Sequence, residues 1–184
     1  MALDHKFLVQ TGTPVVFADT TDYSSAGSGY TRTAQIDLTS LADTKARQSD
    51  KVTLPATRGA RYRVRAGIEF GASAPTAGEA IYFYWSESHS STAATGNDGG
   101  CSGSDAAYQD SSESEWLKQL TLIGVFSTTN DGAGTVQIQT AGEFTPGSQY
   151  GQLVVWNEAG QALDSDATNM FVALIPIEDG SEEV

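Results

Sequence analysis

The sequence predicts an all-β fold: a two-sheet antiparallel β-sandwich, jelly-roll-like, with about nine or ten strands and one long polar loop. Three observations predict it. In residues 61–70, Tyr62, Val64, Ala66, Ile68 and Phe70 alternate with Arg61, Arg63, Arg65, Gly67 and Glu69, the period of a strand with one face buried. Residues 79–86 carry Ile81, Tyr82, Phe83, Tyr84 and Trp85 in succession, which suits a strand covered on both faces. The composition is rich in Gly, Ser and Thr, and only 18% of residues are charged, unlike a helical bundle.

Taken in chain order, residues 6–10, 13–18 and 31–39 read as strands. Ser40-Leu41-Ala42-Asp43 matches a capping box and predicts a short helix through Arg47. Residues 51–54 are a further strand before the alternating segment at 61–70. The stretch from Ala72 to Gly78, with Pro75 inside it, is a turn, so 61–70 and 79–86 read as an antiparallel pair. Residues 88–114 are small and polar, with Gly96, Gly99, Gly100 and Gly103; a loop of this length is functional or disordered. Trp116, Leu117 and Leu120 have helical spacing, but the β-rich run that follows favours a strand over 117–128. Asn130-Asp131-Gly132 is a tight-turn sequence leading into a strand at 134–140. Pro146-Gly147 and Glu158-Ala159-Gly160 then punctuate strands at 152–157 and 170–177. The whole reads as one domain over 1–177, followed by an acidic tail at 178–184.

The chain of 184 residues has a formal net charge of −13. Such a charge repels nucleic acid and anionic membrane and excludes both as general partners. Cys101 is the only cysteine, so no disulfide forms within the chain, and it reads as an incidental thiol in an exposed loop. The start of the chain lacks a signal-peptide pattern, and no apolar run reaches the length of a membrane span; production in a host cytoplasm is expected.

Catalytic chemistry finds little support in the residues. There is no Gly-x-Ser-x-Gly elbow and no phosphate-binding glycine motif. The histidines are His5 and His89. His89 lies beside Glu87, Ser88 and Ser90, but serines and acids are so frequent that this grouping carries no specificity. One cysteine and two distant histidines do not make a zinc site. The loop acids Asp98, Asp105, Asp110, Glu113 and Glu115 lack calcium-loop spacing. The expectation is a non-enzymatic protein without metal or cofactor.

Charge placement is more informative. Lys45, Arg47, Lys51, Arg58, Arg61, Arg63 and Arg65 are seven of the ten Lys and Arg residues, opposed in that window only by Asp50. Arg61, Arg63 and Arg65 repeat about 6–7 Å apart along one strand face. This stripe is either a docking surface for an acidic partner or a solvated face paired with cross-strand acids. A second candidate surface is a sugar-stacking platform built from Tyr82, Tyr84 and Trp85, with Tyr108, Trp116 and Trp156, of which Tyr84, Trp85 and Trp156 are the leading candidates; the alternative for these aromatics is core packing.

The segments Tyr62 to Phe70, Pro75 to Gly78 and Tyr82 to Ser86 resemble small structural proteins of tailed phages and prophages. Ser102 to Tyr108, Lys118 to Leu120 and Tyr150 to Val155 extend the resemblance over about residues 50–177. It implies a virion location and no catalytic residues. The first function it implies is a capsid decoration (cement) protein. Its partner would be the major capsid protein or another virion protein, and it would work as a homo-oligomer, with a trimer as one arrangement. The alternative is a tail or fibre component that binds carbohydrate or a receptor.

Overall fold

The computed structural model describes residues 5–55, 61–109, 112–131 and 133–182. The strands are β1 (His5–Gln10), β2 (Val15–Ala18), β3 (Ala34–Gln35), β4 (Lys45–Gln48), β5 (Val52–Thr53), β6 (Arg61–Ile68), β7 (Ala80–Ser88), β8 (Ala106–Ala107), β9 (Thr121–Ser127), β10 (Gln137–Phe144), β11 (Tyr150–Glu158) and β12 (Phe171–Glu182). Two one-turn helices interrupt them, α1 (Ser25–Ser28) and α2 (Glu113–Trp116).

The strands form two six-stranded sheets packed face to face. Sheet I runs β10-β6-β12-β2-β3, with β1 also paired to β12; sheet II runs β8-β4-β11-β7-β9, with β5 also paired to β11. All pairs are antiparallel except β2 with β3. The principal pairs nest: β7 with β9, β6 with β10, β4 with β11 and β2 with β12. That is the pattern left when one long hairpin is rolled up, with β7 and β9 nearest its tip. Where the chain passes between sheets from β9 to β10, the two strands touch. A Cβ on Gly142 would lie 2.4 Å from the Ile123 carbonyl oxygen, so this corner closes only around glycine.

The alternation in β6 predicts its burial. Tyr62, Val64, Ala66 and Ile68 are fully buried between the sheets, while Arg61, Arg63 and Arg65 point outward. From sheet II come Ile81, Phe83, Trp85, Leu153 and Val155, and from β12 come Val172 and Leu174. The outer face of sheet I carries a smaller cluster around Phe171 and Ile175, covered by Tyr23 and Tyr30.

Several segments differ from expectation. The helix predicted from Ser40 through Arg47 is absent: Ser40 and Thr44 have positive φ (52° and 62°), and Lys45–Gln48 pairs with β11 instead. A capping box is only a local preference, and sheet pairing overrides it. Residues 113–119 do adopt helical turns, α2 followed by a 3₁₀ turn at Leu117–Gln119, so the strand expected from 117 begins at Thr121. Residues 178–182, read as a tail, continue β12 and pair with β1.

Candidate functional site

The long polar loop is an ordered cover. Within its described residues 88–109 and 112–114, a 3₁₀ turn at Asp98–Gly100 and the start of α2 lie over the outer face of sheet II, while the short strand β8 joins the edge of that sheet beside β4. Together with the turn at Leu117–Gln119 they make a third apolar cluster from Cys101, Tyr108, Leu117, Ala46 and Val154, with Tyr84, Trp116, Leu120 and Trp156 at its margin. Cys101 is therefore 6% exposed and not a surface thiol, and burial pushes its thiol pKa up.

Polar contacts from distant segments hold this cover down. Lys51 projects its ammonium into the loop, where Nζ donates to Ser88 Oγ (2.9 Å) and to the carbonyl oxygens of Ser90 (3.1 Å), Thr92 (2.6 Å) and Thr95 (2.9 Å). Arg47 forms a bidentate pair with Asp105, Nε to Oδ1 at 2.7 Å and Nη2 to Oδ2 at 2.8 Å. Asp105 also accepts from the Asp37 backbone N–H. The Arg47 pKa is raised, first by its hydrogen bond to Asp105. Lys45 Nζ reaches Glu113 at 3.0 Å. Buried Gln48 donates to the Ala107 carbonyl and accepts from the Ser102 N–H, and Tyr108 Oη donates to the Gly99 carbonyl at 2.7 Å.

The cations singled out from the sequence thus divide, among the described residues, between two faces, with Arg61, Arg63 and Arg65 together on the outer side of β6. Lys45, Arg47 and Lys51 belong to the sheet II side and are used internally. Arg61 and Arg63 lie on the outer face of sheet I, where both reach Glu143 of β10, at 3.5 and 3.0 Å. Arg65 is exposed one step further along β6. Arg58 lies outside the described residues. Cross-strand pairing with the single Glu143 engages both Arg61 and Arg63.

Two of the loop acids are taken up as intramolecular partners, Asp105 by Arg47 and Glu113 by Lys45; Asp110 lies outside the described residues. Among the described residues no group of three or more His, Cys, Asp or Glu side chains is placed to hold a metal. The set around His89 does not assemble: Ser88 Oγ is held by Lys51, and Glu87 accepts from the Gly147 N–H at 2.6 Å. A cleft of about 430 Å³ opens between Thr13, Pro14, Thr33, Asp50 and Pro55; Lys51 borders it, but its ammonium is directed into the loop.

The aromatic candidates separate by face. Trp85 is 1% exposed and packs in the inter-sheet core against Phe17 and Phe144, so it cannot serve a stacking platform; a side chain at an odd-numbered position of β7 points inward. Tyr82, Tyr84 and Trp156 lie on the outer face of sheet II, all half-buried.

The loop covers only part of that face. Pairing across β11, β7 and β9 sets Trp156, Tyr82 and Val125 in one row and Val154, Tyr84 and Leu122 in the next. The Trp156 and Tyr82 rings are 5.6 Å apart at a 36° tilt. Leu122 is 50% exposed and Val125 37%, two of the three exposed large hydrophobic residues among those described; the third, Ile138, belongs to β10. No protein-family model matches the chain, and no curated protein matches it. The open strip has a defined chemistry of its own. It offers flat aromatic faces and aliphatic side chains on a rigid sheet, the makings of a recognition surface. Alternation along β9 hides it: Leu122 and Val125 differ in parity and share the outer face only because the register with β7 shifts between Phe83 and Tyr84, skipping the inward-facing Ile123.

Proposed function

We propose that this chain is a non-enzymatic virion structural protein, a decoration (cement) protein that binds the outer surface of a tailed-phage head and stabilises it. The observation that carries this reading is the preformed apolar strip on sheet II, left open by a loop that is pinned over the rest of the face. A cement protein must engage a repeating lattice through many modest contacts, and multivalency turns these into firm attachment. A rigid surface suits that task, because little order is lost on docking. The strand order adds support. A rolled hairpin distributed as β2-β12-β6-β10 and β4-β11-β7-β9 fits the jelly-roll reading, an architecture that recurs in viral capsid and lectin domains; this is an analogy of fold and carries less weight than the surface. The resemblance to phage structural proteins points the same way. The partner would be the major capsid protein or another virion protein, with a homo-oligomer, such as a trimer, providing the valency.

The second reading, a carbohydrate- or receptor-binding part of a tail or fibre, draws on the Tyr82–Trp156 ring pair, with Tyr84 beside it. Exposed Leu122 and Val125 favour a protein partner over a sugar.

Quantitative mass spectrometry of purified particles, combined with imaging of the intact virion, tests the proposal. Hundreds of copies on the head would support it. About a dozen copies or fewer at the tail would support the second reading, and absence from particles would end both.

A further inference from the structure

The open strip has one chemically distinctive end. Glu158 lies two residues beyond Trp156 on the same face of β11, and its strand partner is Ala80, next to Glu79. Asp43 reaches the same corner, where its Oδ1 accepts from the Gly160 N–H at 2.9 Å. The Glu158 carboxyl is pushed up by burial and then by Asp43 and Glu79. The Tyr84 hydroxyl is pushed up by burial, then by Tyr82 and Glu158. The carboxylates and the aromatic rings therefore share one field. Among the described residues no Lys or Arg forms an ion pair with Glu79 or Glu158.

We infer that this strip docks a basic segment of a partner protein, one that places an arginine or lysine beside an apolar side chain. This rests on the reading of the strip as the docking face and names the chemistry of its occupant. The aliphatic side chain would cover Leu122 and Val125. The cation would lie over the Tyr82 and Trp156 rings, whose π faces attract it, within reach of Glu158 and Glu79. The three strands span about 10 Å, two inter-strand spacings, enough for one extended segment or one helix face. A second copy of this chain is the wrong occupant. Two-fold pairing of the strip would bring its own carboxylates together on a chain already at −13. A sugar would leave Leu122 and Val125 against hydroxyls and would not use the acids' charge.

The test uses the full isotope-labelled chain and two capped hexapeptides, one of three Leu-Arg repeats and one of three Leu-Glu repeats, followed by NMR and calorimetry. The Leu-Arg peptide should bind with shifts confined to the Trp156 indole, Tyr82 and the Leu122 and Val125 methyls, at least about tenfold more tightly than the Leu-Glu peptide. The double variant Glu79→Gln/Glu158→Gln should lose about five- to tenfold in affinity. The charge-matched control Asp22→Asn/Asp166→Asn, in loops beside sheet I, should lose less than about twofold. Leu122→Ser should weaken binding about tenfold with the spectrum otherwise preserved. Equal binding of both peptides, shifts scattered over the acidic surface, or an equal loss in the control would overturn the inference. So would line broadening at the Leu122 and Val125 methyls that grows with protein concentration alone, because a second copy would then occupy the strip. Absence of the chain from virions would leave these outcomes unaffected, and a virion protein that fails this test would keep its place in the particle.

Discussion

Removing the Lys51 ammonium tests whether a single cation organises the loop. In Lys51→Met the aliphatic stem is kept and the charge is lost. Nζ serves four oxygens, Ser88 Oγ and three carbonyls, with only three N–H donors to share. A hydrogen bond to a charged donor contributes about 1.5–3 kcal/mol in mutational series. Thr92 and Thr95 are exposed, so water replaces the lysine at their carbonyls and most of that cost vanishes. Ser88 is buried and Ser90 half-buried, and their oxygens remain poorly hydrated. The single Ser88 O–H can serve the Ser90 or the Thr95 carbonyl but not both, so the poorly hydrated pair, Ser88 Oγ and the Ser90 carbonyl, loses two charge-assisted bonds and keeps at most that one hydroxyl donor. The expected loss is about 2–3 kcal/mol, or roughly 5–10 °C in melting temperature for a chain of this size. Urea unfolding gives the first number, and amide hydrogen exchange locates it: protection should fall across residues 88–104 and hold in β6 and β12. A loss under about 0.5 kcal/mol, or unchanged exchange in the loop, would refute the reasoning, because water would then replace the ammonium fully.

Asp105→Ala should cost about 3 kcal/mol in urea unfolding, since it leaves Arg47 partly buried without its bidentate partner; a loss below about 1 kcal/mol would mean that Asp37, 3.8 Å away, takes over. Gly103→Ala should prevent the loop from seating, because Gly103 has φ of +79° and a Cβ there would lie 1.9 Å from the Ala93 carbonyl oxygen; increased accessibility of Cys101 to a thiol reagent would report it, whereas wild-type Cys101 should react only on unfolding or local opening. Glu158→Gln has a defined pH signature. A carboxyl whose folded pKa is raised above its unfolded value destabilises the fold at neutral pH, and this penalty is relieved as pH falls through the folded pKa towards 4.5. The variant should therefore be more stable than wild type at pH 7, by about 0.5 kcal/mol or less for this half-exposed group, with the gap closing on acidification; a gap that stays constant with pH would contradict the assignment.

The sandwich was legible in the sequence because its signal is local. In β6 the side chains alternate strictly, and every second one is buried. The same rule needed a phase to be useful in β7, where aromatic residues occupy both faces: Trp85 and Tyr84 look equivalent in the chain, and only pairing with β11 tells the core side from the open side. The loop was illegible for the opposite reason. Ser88 to Ser114 has no apolar period, and what orders it are single contacts made across long separations, from Lys51, Arg47 and Gln48. The cations stand out in the sequence as a charge cluster, but the acids they pair with, Asp105 for Arg47, Glu113 for Lys45 and Glu143 for Arg61 and Arg63, lie far along the chain, and no spacing rule connects them. Cys101 and Tyr108 are isolated apolar residues in a polar stretch, too sparse to signal the cluster that they build on the outside of sheet II.

That outer cluster decides what the surface can do. A bare outer face of sheet II would have exposed Val154, Tyr84 and Trp156 together with the polar run of Ser86, Gln152 and Gln48, a mixed surface with little selectivity. The loop buries the polar half and supplies its hydrogen bonds, with Ser86 Oγ donating to the Asp98 carbonyl and Gln48 to the Ala107 carbonyl. What remains open is apolar, flat and bordered by acids. The same lysine and arginine that pin the loop are drawn inward by doing so and no longer offset those acids. Consuming Lys45, Arg47 and Lys51 inside the cover therefore has two effects: it fixes the shape of the strip and leaves its rim negative. A Lys51 variant that frees the loop should consequently weaken capture of the Leu-Arg peptide, although Lys51 lies outside the strip, and it should do so chiefly by slowing association, since a mobile cover lowers the fraction of competent surface.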